Sequence, residues 1–340
     1  MTTPQMKSFY FSAPQTMEVL DVDIPDPGYG EVKVKVAYAS LCATDVHQVT
    51  QGVLGAKPPM ALGHETAGTV VGLGEGTEKS GLSLGDKVTA FPVSVCGQCP
   101  RCQEGQQQYC VNAAPFGGFS EYYVTSASSV YRLPADADLR HFTIVEPTVC
   151  AVRALDLAPI QPGQTVAISG TGGIGAILLN LILLSGGAKV TVIEPVQAKR
   201  EAALAMGATH TIDPFTQDVE TEATRITGGK GFDVVFEASG NPKAAEPALA
   251  ITGKCGRTVY FAVFPPTYAM PLNLYDLYSR EGSILTVFTS PSLFPRAIDL
   301  LPRLDFDRLL GPTVPLTKAL QAVEMFHSGQ YPKIILDCTK

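Results

Sequence analysis

The sequence lacks any excess of positive charge. It has 25 lysines and arginines against 32 aspartates and glutamates in 340 residues, for a net charge of -7. An acidic chain is a poor match for nucleic acid or an anionic membrane surface, so we expect neither among its partners. Its apolar content of 45% is typical of a globular protein, and its length is sufficient for two domains.

The sequence also lacks a bilayer-spanning hydrophobic run and an export signal. The most apolar stretch, IGAILLNLILL at 174–184, is interrupted by Asn180 and is too short to span a membrane, so we expect a buried helix. The N-terminal MTTPQMKSFYFSAPQTMEV has no long apolar core, and we therefore expect a cytoplasmic, reducing location. Cysteines there are usually thiols, metal ligands or catalysts rather than disulfides.

The first third of the chain has the pattern of antiparallel β structure. In EVKVKVAYA, Val32, Val34 and Val36 alternate with Lys33 and Lys35, which is the period of a half-buried strand. Turn segments rich in glycine and proline follow, such as PDPGYGE, GAKPP and GLGEGTE. Short strands separated by such turns indicate a barrel-like or sandwich-like domain.

Near residue 163 the pattern changes to apolar strands that alternate with helices. TVAIS, KVTVIE, FDVVFEAS, RTVYFAV and SILTVF are predicted strands, and runs such as QAKREAALAMG between them suit helices. This alternation predicts an α/β domain with a doubly wound parallel sheet covered on both faces. The chain has no internal repeat and no low-complexity segment.

A dinucleotide site is predicted where the strand TVAIS meets GTGGIG, a G-x-G-x-x-G motif over 170–175. The glycines allow a tight turn, a close approach to pyrophosphate and close packing of helix on strand, and the helix N-terminus favours phosphate. Glu194 ends the next strand, where its carboxylate would bind ribose hydroxyls and repel a 2′-phosphate. Lys199 would flank the adenosine, although a solvated helix charge explains it equally well. The candidate cofactor residues are Gly170, Gly172, Gly173, Ile174, Gly175, Glu194 and Lys199.

Four cysteines lie within CGQCPRCQEGQQQYC, at Cys96, Cys99, Cys102 and Cys110. Four thiolates on one short loop can close a tetrahedral shell around zinc, which leaves no open position for a substrate. The cluster therefore predicts a structural zinc, with an iron–sulfur cluster as the lesser alternative. A redox C-x-x-C would need a thioredoxin-like context, which is absent.

Three other segments carry possible metal ligands: CATDVH, ALGHETAG and IVEPTV. Taken singly, their cysteine and histidines suit a protein core and their glutamates suit a surface. The same explanation serves for the remaining cysteines and histidines, which we expect to be buried structural residues: Cys150, Cys255, Cys338, His141, His210 and His327.

Together these motifs resemble the zinc-dependent alcohol dehydrogenases of the medium-chain dehydrogenase/reductase superfamily, and in particular their polyol (sorbitol- or xylitol-type) and secondary-alcohol branch. CATDVH, KPPMALGHETAG, CGQCPRC, GGFSEYYV, IVEP, GTGGIG and GFDVVFEASG occur in the order found in that family. The resemblance implies a GroES-like β-rich catalytic domain at 1–150 and 288–340 and a Rossmann coenzyme domain at 151–287. It also places the active site in the cleft between them.

The resemblance implies roles for individual residues around a catalytic zinc. Cys42 and His64 match zinc ligands, and either Glu65 or Glu146 would complete the set, the other carboxylate lying just behind. Either choice gives three protein ligands and one open position. Asp45 matches the residue that orients the ligand histidine.

The resemblance also implies a proton path and a cofactor set. Thr44 matches the residue that takes the alcohol proton, which would pass through a cofactor ribose hydroxyl to His47 and then to water. We expect two zinc ions per chain, one catalytic and one structural, and NAD rather than NADP. The implied reaction interconverts a secondary alcohol, such as a polyol or cyclitol, and its ketone. The implied assembly is a homodimer or homotetramer, with strands near SILTVF pairing between subunits.

Other functions fit the residues less well. A ketone or aldehyde reductase in a biosynthetic pathway would use the same site in reverse. A zinc-independent enone or quinone reductase would not need Cys42, His64 and Glu146, and an inactive homologue would not need Thr44 and His47. A zinc-finger nucleic-acid binder would need a basic helix beside the cysteines. The short segment after the cysteine cluster leaves the shape of the substrate pocket open.

Overall fold

The computed structural model describes residues 4–186 and 189–340, which form two compact units. The first unit runs to Val149 and adds Thr289–Phe306 and Leu310–Lys340; the second is Cys150–Phe288 with Asp307–Leu309. The predicted domain boundaries did not place Asp307–Leu309 with the second unit. Residues 1–3 of the predicted catalytic domain and 187–188 of the predicted coenzyme domain lie outside the described residues.

The first unit is rich in β structure, as the alternating pattern predicts. Its strands are β1 Gln5–Ala13, β2 Thr16–Asp23, β3 Glu31–Ser40, β4 Met60–Ala61, β5 Glu65–Leu73, β6 Lys87–Ala90, β7 Val93–Ser94, β8 Ala114–Pro115, β9 Tyr122–Ser126, β10 Val130–Arg132, β17 Leu310–Pro315 and β18 Lys333–Asp337. Its main sheet has the order β10-β6-β5-β3-β18-β17, with β9 also paired to β3. Two smaller sheets have the orders β2-β1-β4 and β7-β8.

Strand β3 organises this unit because its side chains alternate between core and surface. Val32, Val34 and Val36 are fully buried and pack in one apolar core with Phe9 and Phe119. Antiparallel pairing places Ser40, at the end of β3, opposite Glu65 in β5 and opposite Ile335 in β18. A C-terminal strand is thereby joined to the strands that carry several of the predicted site residues.

Short helices complete the first unit and connect its strands. They are α1 Ala43–Gln51, α2 Pro100–Gln103, α3 Val145–Leu157, α9 Phe294–Leu300, α10 Phe306–Leu309 and α11 Ala319–His327, with the last part of α3 and most of α10 in the second unit. Helix α1 begins after Cys42 and is capped at its C-terminus by Gly52, whose φ of 64° is a left-handed conformation that glycine adopts easily.

The second unit is a six-stranded parallel sheet with helices between successive strands, as predicted. Its elements are β11 Thr165–Ser169, α4 Gly173–Ser185, β12 Lys189–Ile193, α5 Gln197–Met206, β13 His210–Ile212, α6 Val219–Thr227, β14 Phe232–Glu237, α7 Pro242–Ala250, β15 Thr252–Tyr260, α8 Leu274–Ser279 and β16 Ser283–Thr286. The strands lie in the order β13-β12-β11-β14-β15-β16, and all neighbouring pairs are parallel. From β11, the following strands β12 and β13 extend to one side, and β14, β15 and β16 extend to the other side. Ligands of such sheets bind at the carboxyl ends of the strands where the order reverses.

The apolar run at 174–184 lies in α4, and its residues 175–182 are buried, as predicted. Ile177, Leu178, Leu179 and Ile182 are fully buried, and the Asn180 side chain donates to the carbonyl of Ala176 at 3.0 Å. Within the described part of the chain, no helix combines the length and the apolar character that a membrane crossing requires.

Several minor sequence predictions about burial are wrong. Cys255 is exposed and has a φ of 55° in β15, where the strand pairing with β14 is irregular. His210 is exposed because it begins β13, the edge strand of its sheet, and His327 is exposed at the end of α11. Cys338 is buried as predicted.

Candidate functional site

Asp45, in the first turn of α1, connects two of the predicted metal ligands. Its Oδ2 accepts the backbone N–H of Cys42 at 2.9 Å, and its Oδ1 accepts that of Gly63 at 3.2 Å. The same Oδ1 lies 2.9 Å from Nδ1 of His64, and Asp45 is only 1% exposed. An ionised carboxylate only accepts, so the His64 N–H points to Asp45 and leaves Nε2 for a metal.

The metal-ligand atoms of Cys42, His64 and Glu65 all lie within 4.8 Å of one another. One sulfur, one imidazole nitrogen and one carboxylate oxygen form a donor set that suits zinc with a fourth position open. Glu146, in the first turn of α3, is buried but is not in this close group of described residues. Burial by itself would lower the pKa of His64, but the negative charges of Asp45 and Cys42 raise it well above its ordinary value.

Glu65 is the most enclosed member of this group, and its partners were not predicted from the sequence. It is fully buried, and the Lys333 ammonium donates to both of its carboxylate oxygens, to Oε2 at 2.7 Å. The Ser40 hydroxyl also donates to Oε2. Burial alone would lower the pKa of Lys333, but the charges of Glu65 and Cys42 raise it overall. A lysine in the apolar segment YPKIILD was the available signal, since an unpaired lysine is rarely buried.

Thr44 and His47 both lie on α1, one helical turn apart, and both are half-buried. Residues separated by three positions share a helix face, so the hydroxyl and the imidazole lie on the same side of α1. The pKa of His47 is lowered from its ordinary value, first by burial and then by the neighbouring charge of His327. His327 lies at the end of α11, and no pattern along the sequence connects it with His47.

The four clustered cysteines converge as the spacing predicts. The Sγ atoms of Cys99 and Cys110 lie 4.0 Å apart, and those of Cys110 and Cys96 lie 3.5 Å apart. Sulfurs around a tetrahedral zinc with bonds of about 2.3 Å lie about 3.8 Å apart, whereas disulfide sulfurs lie at about 2.05 Å. All four are free thiols in the structure, and the group fits a closed four-sulfur metal shell.

Two of the clustered cysteines have pKa values shifted in opposite directions. Hydrogen bonds from the backbone N–H groups of Gln98 and Cys99 lower the pKa of Cys96 to about 6. Burial raises the pKa of Cys102 to about 12. The thiolate is the form of cysteine that binds zinc, so a lowered pKa at Cys96 suits a metal ligand.

The loop between β11 and α4 has the geometry of a phosphate-binding turn. Gly170 has a φ of 89°, and a side chain there would lie 2.8 Å from Cβ of Ser239. A side chain at Gly175 would overlap the Gly170 carbonyl, whereas one at Gly172 would enter open space. Gly172 is the N-cap residue of α4, and no side chain caps this end of the helix. The backbone N–H groups of Gly173 and Ile174 therefore remain available to phosphate. The open space beside Gly172 lets a phosphate approach the backbone of the loop.

Glu194 lies at the carboxyl end of β12 and contacts this loop directly. Its Oε2 accepts the backbone N–H of Thr171 at 2.8 Å and the Thr171 hydroxyl at 3.0 Å. Its Oε1 accepts the N–H of Val196 at 3.0 Å, and the residue is 4% exposed. The loop therefore holds a carboxylate beside the predicted position of the adenosine ribose.

The positive charges near Glu194 differ in how firmly they are held. Arg200 donates to the carbonyls of Glu194 and Pro195, both at 2.7 Å, and pairs with Asp213 at 3.1 Å. Lys199 is half-buried at the start of α5. Arg200 was not among the predicted cofactor residues, although an arginine next to Lys199 in the same turn was a visible signal.

Two family models match the chain, one in each part. Residues 28–135 match the alcohol dehydrogenase GroES-like domain, and residues 173–303 match the zinc-binding dehydrogenase model. These matches confirm the predicted fold class, a GroES-like β-rich domain together with a Rossmann-type parallel-sheet domain.

Several curated proteins are similar over most of their length. L-threonine 3-dehydrogenase of Pyrococcus abyssi is 38% identical over 75% of each chain. Sorbitol dehydrogenase of Bacillus subtilis is 30% identical over 88% of this chain and 87% of its own. 2-Dehydro-3-deoxy-L-galactonate 5-dehydrogenase of Pseudoalteromonas atlantica is 32% identical over 92% of this chain and 93% of its own.

Two solved structures that resemble this fold are also named as zinc-binding dehydrogenases. A zinc-binding dehydrogenase structure from Clostridium scindens has a TM-score of 0.92 and 33% identity, and the match covers 98% of this chain and 100% of that one. A zinc-binding dehydrogenase from Sinorhizobium meliloti, bound to NADP, has a TM-score of 0.89 and 29% identity, with the same coverage.

Proposed function

The chain belongs to the zinc-dependent medium-chain dehydrogenase/reductase superfamily and is an alcohol oxidoreductase, and we propose that it interconverts a secondary alcohol and its ketone with NAD. The observation that carries this proposal is the close group of Cys42, His64 and Glu65, with Asp45 orienting two of them. An S, N, O donor set that leaves one position open suits a metal that must also accept a substrate oxygen.

The proposed chemistry divides between the bound groups and the chain's own residues. Zinc and NAD, when bound, would supply a Lewis acid for the hydroxyl oxygen and an acceptor for the hydride. Thr44 would accept the proton from the substrate hydroxyl, and half-buried His47 would carry it towards solvent. The lowered pKa of His47 keeps its imidazole neutral, and so able to accept a proton, at neutral pH.

We further propose one zinc at this group, a second on Cys96, Cys99, Cys102 and Cys110, and a structural role for the second. The sulfur separations of 3.5 and 4.0 Å support a closed shell there. We also propose that Glu65, rather than Glu146, completes the catalytic zinc shell. The ligand atom of Glu65 lies within 4.8 Å of those of Cys42 and His64.

The preference for NAD is proposed from the charges beside the glycine loop. Glu194 places a buried carboxylate where NADP would carry its 2′-phosphate, and the nearby Arg200 is already paired with Asp213. A phosphate there would meet a negative charge without a free guanidinium to bind it. The solved structure of the Sinorhizobium meliloti relative contains NADP, the cofactor that this proposal disfavours for the present chain.

Glu194→Ala is expected to raise the KM for NAD by about tenfold, because hydrogen bonds to a charged group contribute about 1.5–3 kcal/mol. Glu194→Gln keeps one acceptor oxygen and removes the charge, so it should improve the use of NADP while affecting NAD less. Initial rates with both cofactors at a fixed alcohol concentration measure the ratio. An unchanged NAD/NADP ratio in both variants would contradict the proposed role.

A second copy of the chain is the proposed macromolecular partner. Leu274, Tyr275 and Tyr278 on α8 are 69%, 78% and 81% exposed. Strand β16, which follows α8, ends the parallel sheet and has β15 as its neighbour. Exposed leucine and tyrosine side chains on one helix, and an end strand with one open edge, each support a surface that another subunit covers.

The proposed function predicts turnover in a substrate panel with NAD, followed as NADH absorbance. The panel should contain L-threonine, sorbitol and sugar acids, for which the relatives are named, together with cyclitols and simple secondary alcohols. The corresponding ketones with NADH test the reverse direction. A zinc-loaded protein that binds NADH but turns over no compound in either direction would favour a non-catalytic binding protein.

A further inference from the structure

Glu65 has more polar partners than a metal ligand needs. It is 0% exposed, and its carboxylate receives the Lys333 ammonium on both oxygens and the Ser40 hydroxyl on Oε2. Lys333 is itself 4% exposed, and Ser40 is fully buried. A buried ion pair with a third hydrogen bond is costly to assemble and is seldom needed for stability alone.

The partners are not equally shared between the two oxygens. A carboxylate offers about four lone-pair positions, about two on each oxygen. Oε2 accepts from both Lys333 and Ser40, whereas Oε1 accepts from Lys333 only. Oε1 therefore keeps a lone pair for a metal, and Oε2 has none to spare.

The backbone holds Lys333 in this position. Antiparallel pairing places Ser40 opposite Glu65 on one side and opposite Ile335 on the other, two residues after Lys333. The backbone N–H of Leu41 donates to Ile334 at 2.9 Å, and the Lys333 ammonium lies 3.5 Å from the Leu41 carbonyl. The lysine is thus fixed against the strands that carry Glu65 and lead into Cys42.

We propose that Lys333 is a positioning residue that limits how strongly Glu65 binds the catalytic metal, an inference that rests on the proposed zinc site. Lys333 and Ser40 together restrict Glu65 to coordination through Oε1. The ammonium of Lys333 also neutralises part of the negative charge of the Glu65 carboxylate. A weaker carboxylate bond lets the metal accept a substrate oxygen more readily. Without Lys333, the buried Glu65 would have the metal as its main counter-charge and would bind it more tightly.

The experiment measures metal release from the purified, fully zinc-loaded protein to an excess of a chromogenic chelator. Lys333→Met is expected to slow release of the catalytic metal about tenfold, and Lys333→Arg, which keeps the charge, to match the original protein within about twofold. In the cobalt(II)-substituted protein, Lys333→Met should also change the visible absorption bands. Unchanged or faster release from a folded Lys333→Met protein would overturn the proposal.

A double-mutant cycle separates this role from general stabilisation. Because Lys333 acts through Glu65, Lys333→Met should not slow release further when Glu65→Gln is already present. An equal effect with and without Glu65→Gln would overturn the proposal. If Lys333→Met does not fold, Ser40→Ala carries the test, because it frees Oε2 of one hydrogen bond. It should slow release by a smaller factor, and an unchanged rate would count against the proposal.

Metal content distinguishes failure of this inference from failure of the proposed function. A single zinc per chain that is insensitive to Cys42→Ser would remove the catalytic site itself. Two zinc ions and measurable turnover, with release rates that do not respond to Lys333→Met or Ser40→Ala, would leave the function standing and overturn only the role of Lys333.

Discussion

Cys42→Ser is expected to remove one of two zinc ions per chain and to lower kcat/KM for alcohol oxidation by at least about 1,000-fold. The thiol belongs to the only close mixed-donor group among the described residues, and its loss leaves His64 and Glu65 without a sulfur ligand. A metal Lewis acid contributes several kcal/mol to the transition state, and each 1.4 kcal/mol corresponds to about tenfold in rate.

Cys99→Ser is the matched control, since it also removes one cysteine from a metal group but lies in the four-sulfur shell. It should lose the other zinc and lower the melting temperature while retaining turnover at low temperature, because metal binding there contributes to folding. Elemental analysis and NADH absorbance measure both variants. If Cys42→Ser keeps two zinc ions or full activity, the catalytic metal is not at Cys42.

His47→Gln is expected to lower alcohol oxidation by about 100-fold at neutral pH and to remove an inflection from the pH profile. Only neutral imidazole accepts a proton, and burial lowers the pKa of His47 below its ordinary value of 6.5. The rate of the original protein should therefore stay on its plateau at pH 7 and fall as the pH decreases through that lowered pKa. General acid–base groups contribute about 100-fold or more.

His327→Gln provides the control for this profile. His327 is exposed, and its charge contributes to the lowered pKa of His47 after burial. Removing it should move the inflection to higher pH and leave the plateau unchanged. Initial rates of kcat/KM from pH 5 to 9 measure both variants. A profile for His47→Gln that parallels that of the original protein would eliminate His47 from the proton path.

Local patterns were sufficient for the parts of this protein that depend on residues close in sequence. The alternation in β3, the apolar run of α4 and the glycine loop before it are short-range patterns, because strand and helix periods and turn geometry act over a few residues. The cysteine group is also local, since its members span residues 96–110 and converge through one loop. The sequence alone therefore determined the two fold types, the glycine loop and the four-sulfur group.

Tertiary structure decided the surroundings of the candidate catalytic group. Glu65 and Lys333 are far apart in sequence and meet only because β3 lies between β5 and β18. His327 affects His47 from the end of α11. Long-range pairing of this kind leaves no periodic trace along the chain, because it is set by strand order and register rather than by neighbouring residues. The sequence identified Glu65 as a possible ligand, and only the fold showed that a buried lysine shares its carboxylate.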